Sequence, residues 1–335
     1  MILALVPVLL ASPLHLPVWV ERQAYLMGTT LSVAVAAPTR THGIRAIEDA
    51  LSAVRRAENL LSTWRNDSEM SRLNHAGVGQ SVVLSPALYH LLREAERWTR
   101  ATDGAFDPAV GALNDAWDMR GVGRIPSAGE LATARDATGM DRFAFTDTTR
   151  AVTRLSSRAW IDTGGFGKGA ALRDALHQLR RHGIRSGMLN FGGKVLVFGP
   201  DQKGGDWVVP VAHPSKRAEP AVRLRLRDRS ASTSGQSERY VTVAGRRLGH
   251  VLDPRTGAPI APWGSVTAVA EDPAAADIIS TALLVLGPEA GLRWAERRDD
   301  VGVLLLIERD GRLVPRWNRA LEQFLIVDTT ISAGG

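Results

Sequence analysis

The sequence predicts an α+β fold, with mixed sheets and packed helices. Three observations carry that expectation. Apolar residues recur at helical spacing in several separate stretches. Other short runs alternate apolar and polar residues, as half-buried strands do. The two kinds of element also mix without a regular strand–helix–strand repeat, which argues against a doubly wound parallel sheet.

The elements follow in order. Thr30–Ala36, TLSVAVA, alternates as a strand. Ile44, Ile47, Leu51, Val54 and Leu61 then line one side of a helix. LSTWRNDSEMSRLN is polar and reads as a turn-rich connection. Leu88, Leu91, Leu92, Ala95 and Trp98 mark a second helix, and ATDGAFDPAVGALNDAWDM after it is punctuated by Gly, Pro and Asp. Leu172, Ala175, Leu176 and Leu179 give a third helix that stops at Gly183. GMLNFGG, KVLVFG, DWVVPVA and VRLRLR are strand-like. Residues 275–287 form a further helix ending at Gly287. VGVLLLIE and LVPRW face each other across Asp310-Gly311 as a hairpin. No linker or internal repeat divides residues 21–335, which are expected to form a single domain.

Composition narrows the chemistry. The chain has 335 residues, enough for a sizeable core, and no cysteine. Disulfides, thiolate nucleophiles, iron–sulfur clusters and cysteine zinc sites are excluded. The eight histidines are scattered without an HExxH motif, so a histidine-rich metal site is not expected. The formal charge is +6, but the arginines are spread along the chain in pairs, so nucleic acid is not an expected partner. Residues 1–20 are apolar and carry small residues at Ala11 and Ser12. They are too short and too rich in proline to span a membrane. They read as a signal-like segment, which implies export; the alternative is a buried first strand and a cytoplasmic protein.

Six short motifs carry candidate chemistry. In IDTGGFGKG, Gly164, Gly165, Gly167 and Gly169 lead into a helix whose free amides and dipole favour phosphate, and Lys168 adds a cation. Asp162 would repel bare phosphate, so it suits a hydroxyl, a ring N–H or a metal. The spacing is neither a P-loop nor GxGxxG, and a plain strand-to-helix turn also fits. In AADIISTAL, Asp277 and Thr281 share a helix face and offer hard oxygens to Mg²⁺, though such residues mid-helix are commonly solvated. In LGHVLDPRTGAP, His250 fits a general base or a structural histidine. TDGAFDPAVG places Phe106 and Asp107 in a loop that also reads as a plain Asp-Pro turn. Met27 of LMGTT and Trp64 of LSTW fit either a planar ring or the core.

Together and in this order, MGT, LSTWRNDSEMSRLN, DGAFDPAVG, DxGGxxKG, NFGG, SG, HVLDPRTG and ADxxxTA resemble the ApbE-type FAD:protein FMN transferase family, from about Tyr25 to Gly287. The resemblance implies an α+β fold with the flavin nucleotide in a central cleft. It implies Mg²⁺-dependent transfer of FMN from FAD to a threonine hydroxyl of an acceptor flavoprotein, with AMP leaving. The acceptor would be a subunit of a membrane redox complex, met in the periplasm or on the outer face of the inner membrane. Carried over by motif, Met27, Trp64, Ala105, Phe106, Asp107, Asp162, Lys168, His250 and Val251 would contact FAD. Asp277 and Thr281 would hold Mg²⁺ through side chains, and Gly165 and Ala274 through backbone carbonyls. His250 would be the base and Asp277 the essential acidic residue. The alternatives are an FAD pyrophosphatase yielding FMN and AMP, and a flavin carrier without turnover.

The chain departs from the family pattern in places. Lys194 follows NFGG where an acidic residue is common, and Gly167 stands where alanine is common. After SG, Gln236 and Ser237 replace a DYRNY-like run, of which only Arg239 and Tyr240 remain. The C-terminal DTTISAGG reads as a tail.

Overall fold

A computed structural model describes residues 16–236, 240–243 and 245–326. Most of the signal-like segment, Ser237, Arg239 and the DTTISAGG tail lie outside the described residues.

The chain opens with β1 (Val18–Leu26) and β2 (Thr29–Ala37), paired antiparallel from Val18↔Ala37 to Leu26↔Thr29. Val18–Val20 of the signal-like segment thus belong to the sheet. The two-residue turn uses Met27 at φ 46° and Gly28 at φ 76°, the paired positive values that match a hairpin's twist. Then come α1 (Arg40–Leu61), α2 (Glu69–His75), β3 (Ser81–Val83), α3 (Pro86–Ala101), α4 (Gly111–Ala116), α5 (Ala128–Asp136), β4 (Phe143–Thr146) and β5 (Ala151–Arg154). The polar stretch read as a turn therefore contains a helix. Ser68 caps α2 by accepting from Ser71 N–H, and the helix buries Met70 and Leu73.

The long third helix is α6 (Gly167–Arg181), stopped by Gly183 at φ 69°. After it run β6 (Gly187–Phe191), β7 (Lys194–Phe198), β8 (Trp207–Ala212), β9 (Pro220–Leu226), β10 (Arg229–Gly235), β11 (Tyr240–Val243), β12 (Arg246–Gly249) and β13 (Gly264–Ala270). The chain continues through α7 (Pro273–Leu286), α8 (Pro288–Ala295), β14 (Gly302–Arg309), β15 (Arg312–Trp317) and the short β16 (Leu325–Ile326). Asp310 and Gly311 both have positive φ, 51° and 71°, and close the β14–β15 hairpin as the sequence predicts.

Eight antiparallel strands form the main sheet in the order β1-β2-β6-β7-β10-β13-β14-β15. Helices cover one face, with α1 and α6 over its first half and α7 and α8 over its second. A small sheet, β16-β9-β8, covers part of the other face. Strand β14 shows the two-sided burial directly: Val303 and Leu305 face α7, while Leu304 and Leu306 face the small sheet. A third sheet, β3-β5-β4, packs with α2 and α3 around Leu73, Leu88 and Val152. Among the described residues, no helix is long and apolar enough to cross a membrane.

Candidate active site

The site is built where the start of α6 meets the start of α7. Asp272 caps α7 by accepting from Ala274 N–H, and Pro273 opens the helix. One turn on, Asp277 and Thr281 lie on a common face, as their spacing predicts. Gly169, at the third position of α6, lets the helices touch: a Cβ there would lie 2.4 Å from the Pro273 carbonyl and 2.8 Å from Asp277 Cβ. The Gly169 N–H, one of the donors a helix start leaves unmatched, donates to Asp277 Oδ2 at 2.9 Å. A carboxylate from one helix thus caps another.

Asp277 is fully buried. Its second oxygen, Oδ1, has no hydrogen-bond partner besides the ammonium it pairs with. Lys194 Nζ stands 2.8 Å from it as a buried ion pair and also donates to Ser232 Oγ at 3.0 Å. Ser230, Ser232 and Ser234 alternate along β10 toward α7. Ser232 and Ser234 share hydrogen bonds with Ser280 Oγ at 3.1 and 2.8 Å. Ser234 also reaches Thr281 Oγ1 at 3.4 Å, and Thr281 donates to the Asp277 carbonyl at 3.1 Å.

Gly165 sits beside Thr281. A Cβ on Gly165 would be 3.2 Å from Phe106 and 3.5 Å from Thr281 Cγ2. Of the four predicted metal-binding residues, Thr281 thus lies next to Gly165 and shares a helix face with Asp277. The fourth, Ala274, lies in the first turn of α7, with its backbone against Gly169. Among the described residues, no three His, Asp or Glu side chains cluster as a metal site. A divalent cation here would rely on few protein oxygens, the pattern Mg²⁺ tolerates because it keeps water and takes phosphate oxygens. The hard-oxygen donors fit that cation, with the Lys194 ammonium already paired to Oδ1.

The predicted nucleotide residues divide into two sets. Asp162 lies just before α6. Its Oδ2 accepts from Arg120 at 2.9 Å and Asn114 at 3.2 Å, and Oδ1 accepts from Gly164 N–H at 2.7 Å. The Arg120 guanidinium lies over both Trp64 and Trp160, 4.4 and 4.3 Å from their ring centroids. Trp64 is 73% exposed, so it is not a core residue. Beneath Arg120 and Trp160 opens a cavity of about 510 Å³ that also meets Thr63, Asn74 and Arg154. Met27 is held by its N–H to Glu58 Oε1 at 2.9 Å, and its Cε lies 3.4 Å from where a Gly167 Cβ would be. Lys168 follows at the second position of α6.

Ala105 and Phe106 are buried, and Phe106 meets Phe166 edge-on at 6.4 Å. The Asp107 carboxylate turns inward and accepts from Ala109 N–H at 2.8 Å and Met140 N–H at 3.1 Å. Burial pushes its pKa up to about 6. Of the three, Phe106 backs Gly165. His250 is exposed, immediately after β12. Its neighbour Gly249 abuts Gln236, the residue following β10, so His250 lies beyond the strand end that carries Ser234. Val251 packs with the α7 cluster. Asp253 and Arg255 pair bidentately, both at 2.9 Å, and fix the LDPRTG turn against Gly104.

Sequence reasoning passed over Arg120, Asn114 and Trp160, which lie in stretches without a spacing rule. It flagged Lys194 as unusual but did not place it on Asp277. The alternating serines of β10 were the available signal for that polar wall.

Known proteins show the same arrangement of chain. The profile of the ApbE family matches residues 27–305. An FAD:protein FMN transferase of Haemophilus influenzae is 27% identical over 314 residues, 89% of each chain. One from Rhodobacter capsulatus is 32% identical over 305 residues, which cover 88% of this chain and 56% of the relative. The crystal structure of the ApbE protein from Thermotoga maritima superposes with a TM-score of 0.84 at 28% identity, covering 91% of this chain and 99% of that one. With a profile match across most of its length and the same fold, this chain belongs to the ApbE family.

Proposed function

We propose that this protein transfers the FMN half of FAD to a threonine hydroxyl of an acceptor protein in the presence of Mg²⁺. The observation that carries the reading is the buried Asp277 carboxylate at the α6–α7 junction, with Oδ2 held by the Gly169 N–H, Oδ1 paired to the Lys194 ammonium, and Thr281 one turn along beside Gly165. Family membership supports it, because the curated relatives bear the name FAD:protein FMN transferase.

Asp277, Thr281 and the carbonyls of Gly165 and Ala274 would hold Mg²⁺, which supplies charge neutralisation at the diphosphate when bound. The amides at the start of α6 and Lys168 receive phosphate oxygens. Trp64 and Met27 flank the planar part of the ligand, and Asp162 accepts from one of its polar N–H or O–H groups. His250 accepts the proton of the incoming threonine. The threonine Oγ forms a bond to the FMN phosphorus, the bond from that phosphorus to the bridging oxygen breaks, and AMP leaves with that oxygen. The acceptor proposed is a flavoprotein subunit of a membrane redox complex, encountered on the outer face of the inner membrane.

Mass spectrometry of a threonine-bearing acceptor domain incubated with the protein, FAD and Mg²⁺ tests this. The expected product carries one FMN phosphoester, absent with Asp277→Ala and strongly reduced with His250→Ala that still binds FAD. Free FMN and AMP without an adduct would replace transfer by hydrolysis, and intact bound FAD would leave a carrier.

A further inference from the structure

The position of Lys194 leads beyond the shared chemistry. Its ammonium lies 2.8 Å from Asp277 Oδ1 and both side chains are buried, at 9% and 1% exposure. Oδ2 of the same carboxylate is held by the Gly169 N–H. The other acids of this junction are engaged elsewhere: Arg173 bridges Asp272 and Glu94. Asp277 and Lys194 together are electrically neutral. A divalent cation placed at Oδ1 would raise the local charge to +2 in a buried setting, where like charges interact strongly. A diphosphate brings two negative charges and restores neutrality. An acidic residue at position 194 would instead form a dianionic pair able to hold the metal alone.

We infer that Lys194 is a tethered cation that makes divalent metal binding at Asp277 conditional on the nucleotide diphosphate. This rests on reading Asp277 and Thr281 as metal ligands. In the nucleotide-free protein the ammonium neutralises Asp277, and Ser232, itself bonded to Ser280, anchors the lysine. Metal and FAD then enter as a coupled pair, each strengthening the other by the same factor.

The test is titration of the full-length protein with Mn²⁺, followed by its paramagnetic resonance signal, with and without saturating FAD. A titration of FAD alone is subtracted, and bound FAD is followed separately by its fluorescence. Saturating FAD is expected to tighten Mn²⁺ binding by the wild-type protein at least tenfold. Lys194→Gln is expected to bind Mn²⁺ without nucleotide at least tenfold more tightly than wild type, and Lys194→Glu more tightly still. Adding Asp277→Asn to Lys194→Gln should abolish that gain. Wild-type affinity that stays within twofold on adding FAD overturns the inference, as does unchanged nucleotide-free affinity in Lys194→Gln. If no protein holds Mn²⁺ even with FAD bound, the metal reading itself fails and the inference falls with it. Melting curves check that each variant folds, and Lys194→Met, also uncharged, replaces Lys194→Gln if that variant does not.

Discussion

Asp107, one of the residues expected at the nucleotide, braces its own loop through its carboxylate. Its oxygens accept the amides of Ala109 and Met140 and brace the loop whose Phe106 backs Gly165. Burial raises its pKa from 3.8 to about 6, more than those two amides lower it. The folded state then binds the proton more tightly than the unfolded chain, so stability falls as pH rises from about 4 to about 6. Replacing Asp107 with Asn removes this term. The melting temperature of Asp107→Asn relative to wild type should therefore climb across that window and level off above it. A difference that is flat with pH would show that Asp107 ionises freely in the folded protein. The sequence places Asp107 in a loop but does not show which amides it accepts, since the two come from different segments. Lys194 was legible only as a departure, because its partner lies 83 positions away.

Elements explain which glycines the α6 start needs. A Cβ at Gly167 would meet Met27 Cε at 3.4 Å and Leu61 Cδ1 at 3.7 Å, which are ordinary contacts. Gly167 is also the first residue of α6, where alanine costs less backbone entropy. Gly167→Ala is expected to be neutral or to stabilise the protein by up to about 1 kcal/mol. Gly169→Ala forces a Cβ into the Pro273 carbonyl and the Ala274 Cα, separating α6 from α7. It is expected to destabilise by about 2 kcal/mol or more and to weaken metal binding. Denaturant melts of both variants check the contrast, and equal effects would contradict the close approach. Elements were legible where one rule dominated: helical spacing for α1, α3, α6 and α7, and Asp310-Gly311 for the last hairpin. Helix α5 had a readable signal in its Ser127–Glu130 capping box. Helix α2 was hidden by seven mostly polar residues, since its stability comes from burying Met70 and Leu73 against distant strands and helices.

Across the whole molecule, the proposed site draws on residues from Met27 to Thr281, spread over the first hairpin, two helices and several loops. The order of motifs along the chain was legible, but the sheet that brings them together was not. Strand β2 pairs with β6 across more than 150 positions, and β7 with β10 across more than 30, and no local pattern encodes such partners. A ligand that bridges these parts should stabilise the folded chain as a unit. FAD at a hundred times its Kd is expected to add about 2.7 kcal/mol, seen as a rise of several degrees in the melting temperature. Trp64 separates this effect from packing. It is 73% exposed and its stack with Arg120 is worth about 1 kcal/mol or less. Trp64→Ala should therefore leave the melting temperature without FAD nearly unchanged. Loss of a stacking surface worth about 1–3 kcal/mol should weaken FAD binding roughly five- to hundredfold and shrink the FAD-induced rise at the same FAD concentration. An equal rise in both proteins would remove Trp64 from the nucleotide site, and a large loss of melting temperature without FAD would make it a structural residue instead.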